Sequence, residues 1–364
     1  MTDQPTAVSF GYCRTKCLTA LCTITGCCAV LIIFSLPYTS IHSYSFVAFA
    51  VNTVGGRFIA SGKTNSSPRT ESLSLINRSN YCSRYVSLGK FISSGLGNQM
   101  FYFAAALHVA NLTGREVVLF DNHKVGTLVA VFDLNVKILK DVCPKYGFAE
   151  ATPSFDTNLE KIVLNKSETS KKTIVINGYF QSWRYLRLTS ERVRHHFTFK
   201  PDTRQVATRF LQANIPAGWT TDFLRVGVHI RRGNFLEPRP MKKGYSVGTE
   251  MYFQKAMRYF VEKHGRTQFI VASMDRIWTT KFIYFNDTAL ANITFSFGRK
   301  AAQDMAILSM CDHVIVSTGT FGWWSGWLAG GMTIYYADYP RRNSTFSKML
   351  KREDYYPTNW IPME

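Results

Sequence analysis

Acid is scarce in this chain: 24 Asp and Glu stand against 43 Lys and Arg, a formal charge of +19. Such an excess suits anionic partners, whether nucleotide phosphates, nucleic acid or an anionic membrane face. The features that would single out nucleic acid are missing, because there is no zinc-finger spacing and no long Lys/Arg block. Also missing are an Asp-x-Asp pair and any histidine cluster with ligand spacing: His108 and the adjacent His195 and His196 stand without partners. With no evident holder for a divalent cation, charge neutralisation falls to arginine. Cysteine is sparse beyond the crowded start (Cys13, Cys17, Cys22, Cys27 and Cys28), with only Cys82, Cys143 and Cys311 following. The distal part can therefore form at most one disulfide. Cys311 lies in an apolar segment and reads as a small core residue. If a bridge forms, Cys82–Cys143 is the expected pair, although spacing alone does not fix connectivity.

Charge is absent altogether from Cys17 to Leu36, just before Pro37. Helical residues rise ~1.5 Å each, so a run of this length spans ~30 Å of bilayer hydrocarbon. Arg14 and Lys16 precede it and the next cation is Arg57, which keeps the N-terminus cytosolic and sends the rest to the lumen. A cleaved signal peptide is the rival, but the run exceeds a usual h-region and lacks a convincing small-x-small cleavage site. The expected layout is a cytosolic tail (1–16), a signal anchor (17–36), a Ser/Asn/Thr/Gly-rich lumenal stem (37–84) and a globular body. The cysteines near the anchor are palmitoylation candidates or simply small residues that lipid tolerates. Glycosylation sequons at Asn65, Asn77, Asn111, Asn165, Asn286, Asn292 and Asn343 fit a secretory-pathway destination.

The body alternates strands and helices. Strands are expected at Val86–Ile92, Glu116–Phe120 and Thr173–Asn177, with a helix over Gln99–Leu112. A second series follows: strands Arg225–Ile230, Gln268–Ser273, His313–Ser317 and Thr333–Ala337, with helices Glu250–His264, Ala301–Met310 and Trp323–Ala329. This is the rhythm of two α/β domains in tandem, 85–218 and 219–364, each with a parallel sheet. Ligands of such sheets bind beyond the carboxyl ends of the strands.

Two motifs fall at such ends. Arg225–Ile230 runs into Arg231-Arg232-Gly233-Asn234, and paired guanidinium forks grip phosphates bidentately without losing their charge. A surface strand end with two solvated arginines is the bland alternative. Ser317-Thr318-Gly319-Thr320 lies at a strand-to-helix turn, which offers backbone N–H groups and a helix N-terminus to an anion, or is a plain N-cap. Asp304 is either a reader of guanine or ribose or a solvated helix carboxylate. Gly95-Leu96-Gly97-Asn98-Gln99 is neither G-x-G-x-x-G nor a P-loop. Glu237, following the arginine pair, is the candidate general base, with a solvated loop carboxylate as its other reading.

Gly95–Met100, Val226–Gly233 and Thr318–Trp324, with Leu328–Gly331 and Tyr335–Asp338, resemble the motifs of the family-11 α-1,2-fucosyltransferases in order and context. The resemblance covers roughly residues 87–362. It implies a GT-B-like fold of two Rossmann-type domains facing a cleft. It also implies GDP-L-fucose as donor, a galactose-containing glycan acceptor, inversion, no metal or other cofactor, and a single-pass type II protein of the Golgi membrane. Arg231 and Arg232 would then bind the pyrophosphate, and His229 would shape the nucleotide pocket. Asp304 would read the nucleoside, while Ser317, Thr318, Gly319 and Thr320 would line the phosphates. Asn98 and Gln99 would face the cleft from the other domain. Where the family usually has Asp, this chain has Asn234, which keeps the hydrogen bonds and loses the charge. A catalytically weakened relative, or a fucosyltransferase of different acceptor or linkage, is the alternative this raises.

Overall fold

The computed structural model describes residues 81–89, 95–120, 126–140, 143–150, 152–220 and 222–364, all within one compact unit, Thr70–Glu364. The expected tail, anchor and membrane-proximal cysteines, the stem up to residue 80 and the sequons at Asn65 and Asn77 lie outside the described residues. Among the described residues no helix is long and apolar enough to cross a membrane.

Two parallel sheets make up the fold, as the alternating pattern leads one to expect. The first holds β1 (Tyr85–Leu88), β2 (Glu116–Phe120), β3 (Lys137–Leu139), β4 (Lys145–Ala149) and β5 (Thr173–Asn177), in the order β3-β2-β1-β5-β4. The second holds β6 (Leu224–Ile230), β7 (Thr267–Ser273), β8 (Ala291–Phe295), β9 (His313–Val316), β10 (Thr333–Tyr336) and β11 (Ile361–Met363), in the order β11-β10-β9-β6-β7-β8. The central strands β1, β5, β6 and β7 are largely buried on both faces because helices cover both sides of a parallel sheet. Chain order reverses between β1 and β5 in one sheet and between β6 and β9 in the other, which opens a crevice at each carboxyl edge.

Five helices matter for the site: α1 (Leu96–Thr113), α2 (Pro201–Ala213), α3 (Glu250–His264), α4 (Ala301–Ser309) and α5 (Thr320–Ala329). α5 begins three residues earlier than its apolar pattern suggests, because Gly319 caps it at φ 84° and its carbonyl accepts the Trp323 N–H at 3.3 Å. α2 packs on the second sheet, where Ala207, Phe210 and Leu211 meet Ile270, Ile307 and Cys311. Cys311 is thus a buried free thiol, and Cys82 and Cys143 form the disulfide with Cα atoms 5.5 Å apart.

The main hydrophobic core runs through both sheets. At its centre Phe101 of α1 lies 4.5 Å from the Trp323 ring and 5.0 Å from the Trp324 ring of α5. Aromatic pairs of this kind each add ~0.5–1.5 kcal/mol beyond area burial. The C-terminal segment returns to the first half. There Ser182 Oγ donates to Asp354 O at 2.7 Å, and Arg184 pairs with the Asp354 carboxylate at 3.0 Å. The two halves are therefore joined by aromatic packing and polar contacts.

Candidate active site

β6 delivers the arginine pair to the crevice between β6 and β9. The Arg231 N–H donates to Ser317 Oγ at 2.8 Å, while the Ser317 N–H donates to His229 O at 3.1 Å. These bonds tie the two strand ends together. They use the Arg231 backbone, so its side chain is left for other work.

Each guanidinium is held on two sides. The Arg231 Nη2 donates to Asn234 Oδ1, and its guanidinium lies 5.1 Å from the Phe235 ring centroid. Burial lowers the Arg231 pKa, an effect partly opposed by Tyr339, so an anion arriving there relieves an under-compensated charge. Arg232 Nε pairs with Asp275 Oδ2 at 3.1 Å, and its guanidinium lies 4.1 Å over Trp278. Asp275 uses its other oxygen to cap the helix Arg276–Phe282, accepting the Trp278 N–H at 3.1 Å. A carboxylate fixed by a helix cap therefore sets the direction of Arg232.

His229 is buried, with its ring 5.1 Å from Phe321 and no hydrogen-bond partner at Nδ1. A Cβ on Gly322 would stand 2.4 Å from that nitrogen. Burial pushes the His229 pKa down to about 3, and the Arg231 charge adds to the shift. The imidazole is therefore neutral at pH 7 and shapes the wall without adding charge. An unfolded histidine titrates near ~6.5, so the unfolded state binds more protons between the two values. Stability is then fully present above the unfolded value and is lost as pH falls towards the folded one. His196, lowered to about 4 by burial and then by His195 and Arg192, acts in the same direction. We expect His229→Gln to remove about 2 kcal/mol of the stability that wild type loses between pH 7.5 and pH 5. Urea unfolding of both proteins at the two pH values measures this, and equal pH dependence would refute it.

Thr318 is buried with Oγ1 unpartnered, and Gly319 and Thr320 are half-buried at the start of α5. Asp304, in the first turn of α4, accepts Ser296 Oγ at 2.6 Å. Burial raises its pKa, while Ser296 and Arg299 lower it. Ser296 follows β8, which lies two strands from β6 in the second sheet.

Asn98 is where the first half meets this edge. Its Oδ1 accepts both Thr320 Oγ1 at 2.8 Å and Gln181 Nε2 at 3.0 Å. Gln99, expected at the cleft, is buried in α1. Glu237 stands exposed before the helix Pro238–Lys243 and forms no ion pair among the described residues. Sequence reasoning missed Asp275, whose signal was an Asp between a strand and a helix. It also missed the aromatic bed of Phe235, Tyr245 and Tyr339, whose rings lie 4.7 to 6.2 Å apart and which only tertiary folding assembles. Among the described residues no group of three or more His, Cys, Asp or Glu comes together to hold a metal ion.

Residues 90–364 match glycosyl transferase family 11. The chain belongs to that family. A Bos taurus protein named galactoside alpha-(1,2)-fucosyltransferase 1 is 32% identical over 270 residues, 73% of this chain and 72% of the relative. The Homo sapiens protein of the same name is 31% identical over 271 residues, again 73% and 72%. Among solved structures, a mutant of Arabidopsis thaliana FUT1 in complex with GDP aligns with this family 11 chain at a TM-score of 0.48 and 16% identity. The alignment covers 74% of this chain and 75% of that one. The apo form of POFUT1 aligns at 0.46 and 10%, covering 70% and 97%.

Proposed function

We propose that this family 11 chain transfers L-fucose from GDP-L-fucose to the 2-hydroxyl of a galactoside on glycoprotein or glycolipid glycans, with inversion and without a metal. The observation that carries the reading is the arginine pair at the β6/β9 reversal, each guanidinium already fixed by a neighbour. Departure of GDP places charge on the β-phosphate while the fucose approaches an oxocarbenium ion. Pre-aimed arginines stabilise that charge with no reorganisation at the moment of reaction. They take the part a cation would otherwise play. Asp304 reads the nucleoside, and Thr318, Gly319 and Thr320 present hydroxyl and N–H groups to the phosphates. The Asn234–Arg231 contact supports a bracing role for Asn234, which an amide fills as well as a carboxylate.

The reading includes a Golgi membrane protein anchored through residues 17–36, with the catalytic body in the lumen. Supporting it, the sequon asparagines Asn111, Asn165, Asn286 and Asn343 are exposed, and Asn292 is half-buried in β8.

The test is full-length protein incubated with GDP-fucose and a panel of galactosides, with and without a chelator. We expect α-1,2-linked product in both cases. GDP binding with no transfer to any acceptor would favour the weakened relative, and Asn234→Asp would then restore activity. No GDP binding would sink both readings.

A further inference from the structure

The carboxyl edge of the first sheet carries a turn that the donor chemistry leaves unused. After β5 the chain passes through Gly178 at φ 152° and Phe180 at φ 49°. A non-glycine residue in the left-handed region costs ~1–3 kcal/mol and persists only where its surroundings enforce it. Here the enforcing group is Glu150, directly after β4. Its Oε2 accepts the Tyr179 N–H at 2.6 Å and its Oε1 accepts the Phe180 N–H at 2.8 Å. The fit is tight, since a Cβ on Gly178 would stand 2.4 Å from Glu150 Cβ. Phe180 is driven inward to full burial against Tyr102, at 6.0 Å. Tyr179 is left 41% exposed at the rim.

The turn is tied to the donor side by two routes. Gln181, next in sequence, reaches Thr320 through Asn98. Tyr179 also lies close enough to Tyr245 to add to the upward shift that burial imposes on the Tyr245 phenol. Tyr245 packs 4.7 Å from Phe235, the ring beneath Arg231. An exposed ring thus stands at the carboxyl edge of the first sheet, next to the Gln181–Asn98 link to the start of α5. A galactoside has one apolar face of C–H groups and a rim of hydroxyls, and an aromatic plane with a polar tip matches it.

We propose that Tyr179 is the platform on which the acceptor sugar lies, and that Glu150 is the positioning residue that holds it there. The proposal rests on the transferase reading above. It assigns acceptor recognition to the strained turn of the first half and leaves the donor to the second.

The test compares wild type with Tyr179→Ala, Tyr179→Trp and Glu150→Gln. Acceptor KM, kcat, GDP affinity and thermal unfolding are measured for each. Tyr179→Ala raises acceptor KM about tenfold or more, the scale of losing one stacked ring, with GDP affinity unchanged. Tyr179→Trp recovers most of that loss. Glu150→Gln presents an NH2 to one of the two N–H groups, releases the turn and raises acceptor KM several-fold while GDP binding persists. A purely structural role would instead lower GDP affinity and the unfolding temperature together, with no recovery in the Trp variant. An unchanged acceptor KM in Tyr179→Ala, with wild type active, overturns this proposal alone. A wild type that neither binds GDP nor transfers fucose overturns it together with the reading on which it rests.

Discussion

Arg231→Lys lowers kcat/KM for fucosyl transfer by about 10²–10³-fold, the range expected when one pre-aimed donor to developing charge is lost. The guanidinium performs three tasks at once. It bonds Asn234, lies over the Phe235 ring and, in the proposed reading, keeps donors for the phosphate. A lysine ammonium is a compact point charge on a flexible stem and cannot satisfy a planar fork from two directions. The fold should survive, because the contact that ties β6 to β9 runs through the Arg231 backbone N–H. Steady-state kinetics alongside calorimetric GDP titration separates these effects. GDP affinity falls less than kcat/KM if the arginine acts mainly on the leaving group in the transition state. Arg232→Lys is also damaging, since Asp275 and Trp278 are placed for a guanidinium. A Lys variant at position 231 with wild-type kinetics would remove the basis of the proposed mechanism.

How much of this was legible in the sequence follows the physics of burial. Strands Glu116–Phe120 and Thr173–Asn177 and helix Glu250–His264 lie where the apolar pattern puts them, because their periodicity reports a buried face. The edge strands β3, β4, β8 and β11 went unread. β3 and β4 are largely exposed and β11 contains Pro362, which only an edge tolerates, so no such pattern marks them. In the site, Arg231, Arg232 and Ser317–Thr320 were legible as motifs at strand ends. Asp275 and Glu150 were not, because each acts on a residue 43 or 29 to 30 positions away, and only strand pairing brings those ends together. Asn98 was found for its motif and assigned to the cleft. Its contacts add a second task, as the polar link between the two halves.

That link yields the other large effect, Gly97→Ala. A Cβ at Gly97 would stand 2.6 Å from Thr320 C and 2.7 Å from Thr320 O. Both are backbone atoms that no rotamer change can move aside. Neither helix has room to retreat, because Met100, Phe101, Trp323 and Trp324 are fully or almost fully buried in one core. One methyl group must therefore prise the N-termini of α1 and α5 apart. Overpacking of this sort costs about 1–3 kcal/mol. The functional cost is larger, because the displaced residue is the first of α5, which follows the Thr318-Gly319 turn and donates its hydroxyl to Asn98 Oδ1. A misplacement of about 1 Å at a reacting centre can cost on the order of 100-fold in rate. Gly95→Ala is the internal control, since a Cβ there meets nothing within 4 Å and its φ of −60° suits any residue. We expect Gly95→Ala to match wild type in unfolding temperature and transfer rate, and Gly97→Ala to lose both. If the two alanine variants behave alike, the close approach of Gly97 and Thr320 is not what holds the halves in register.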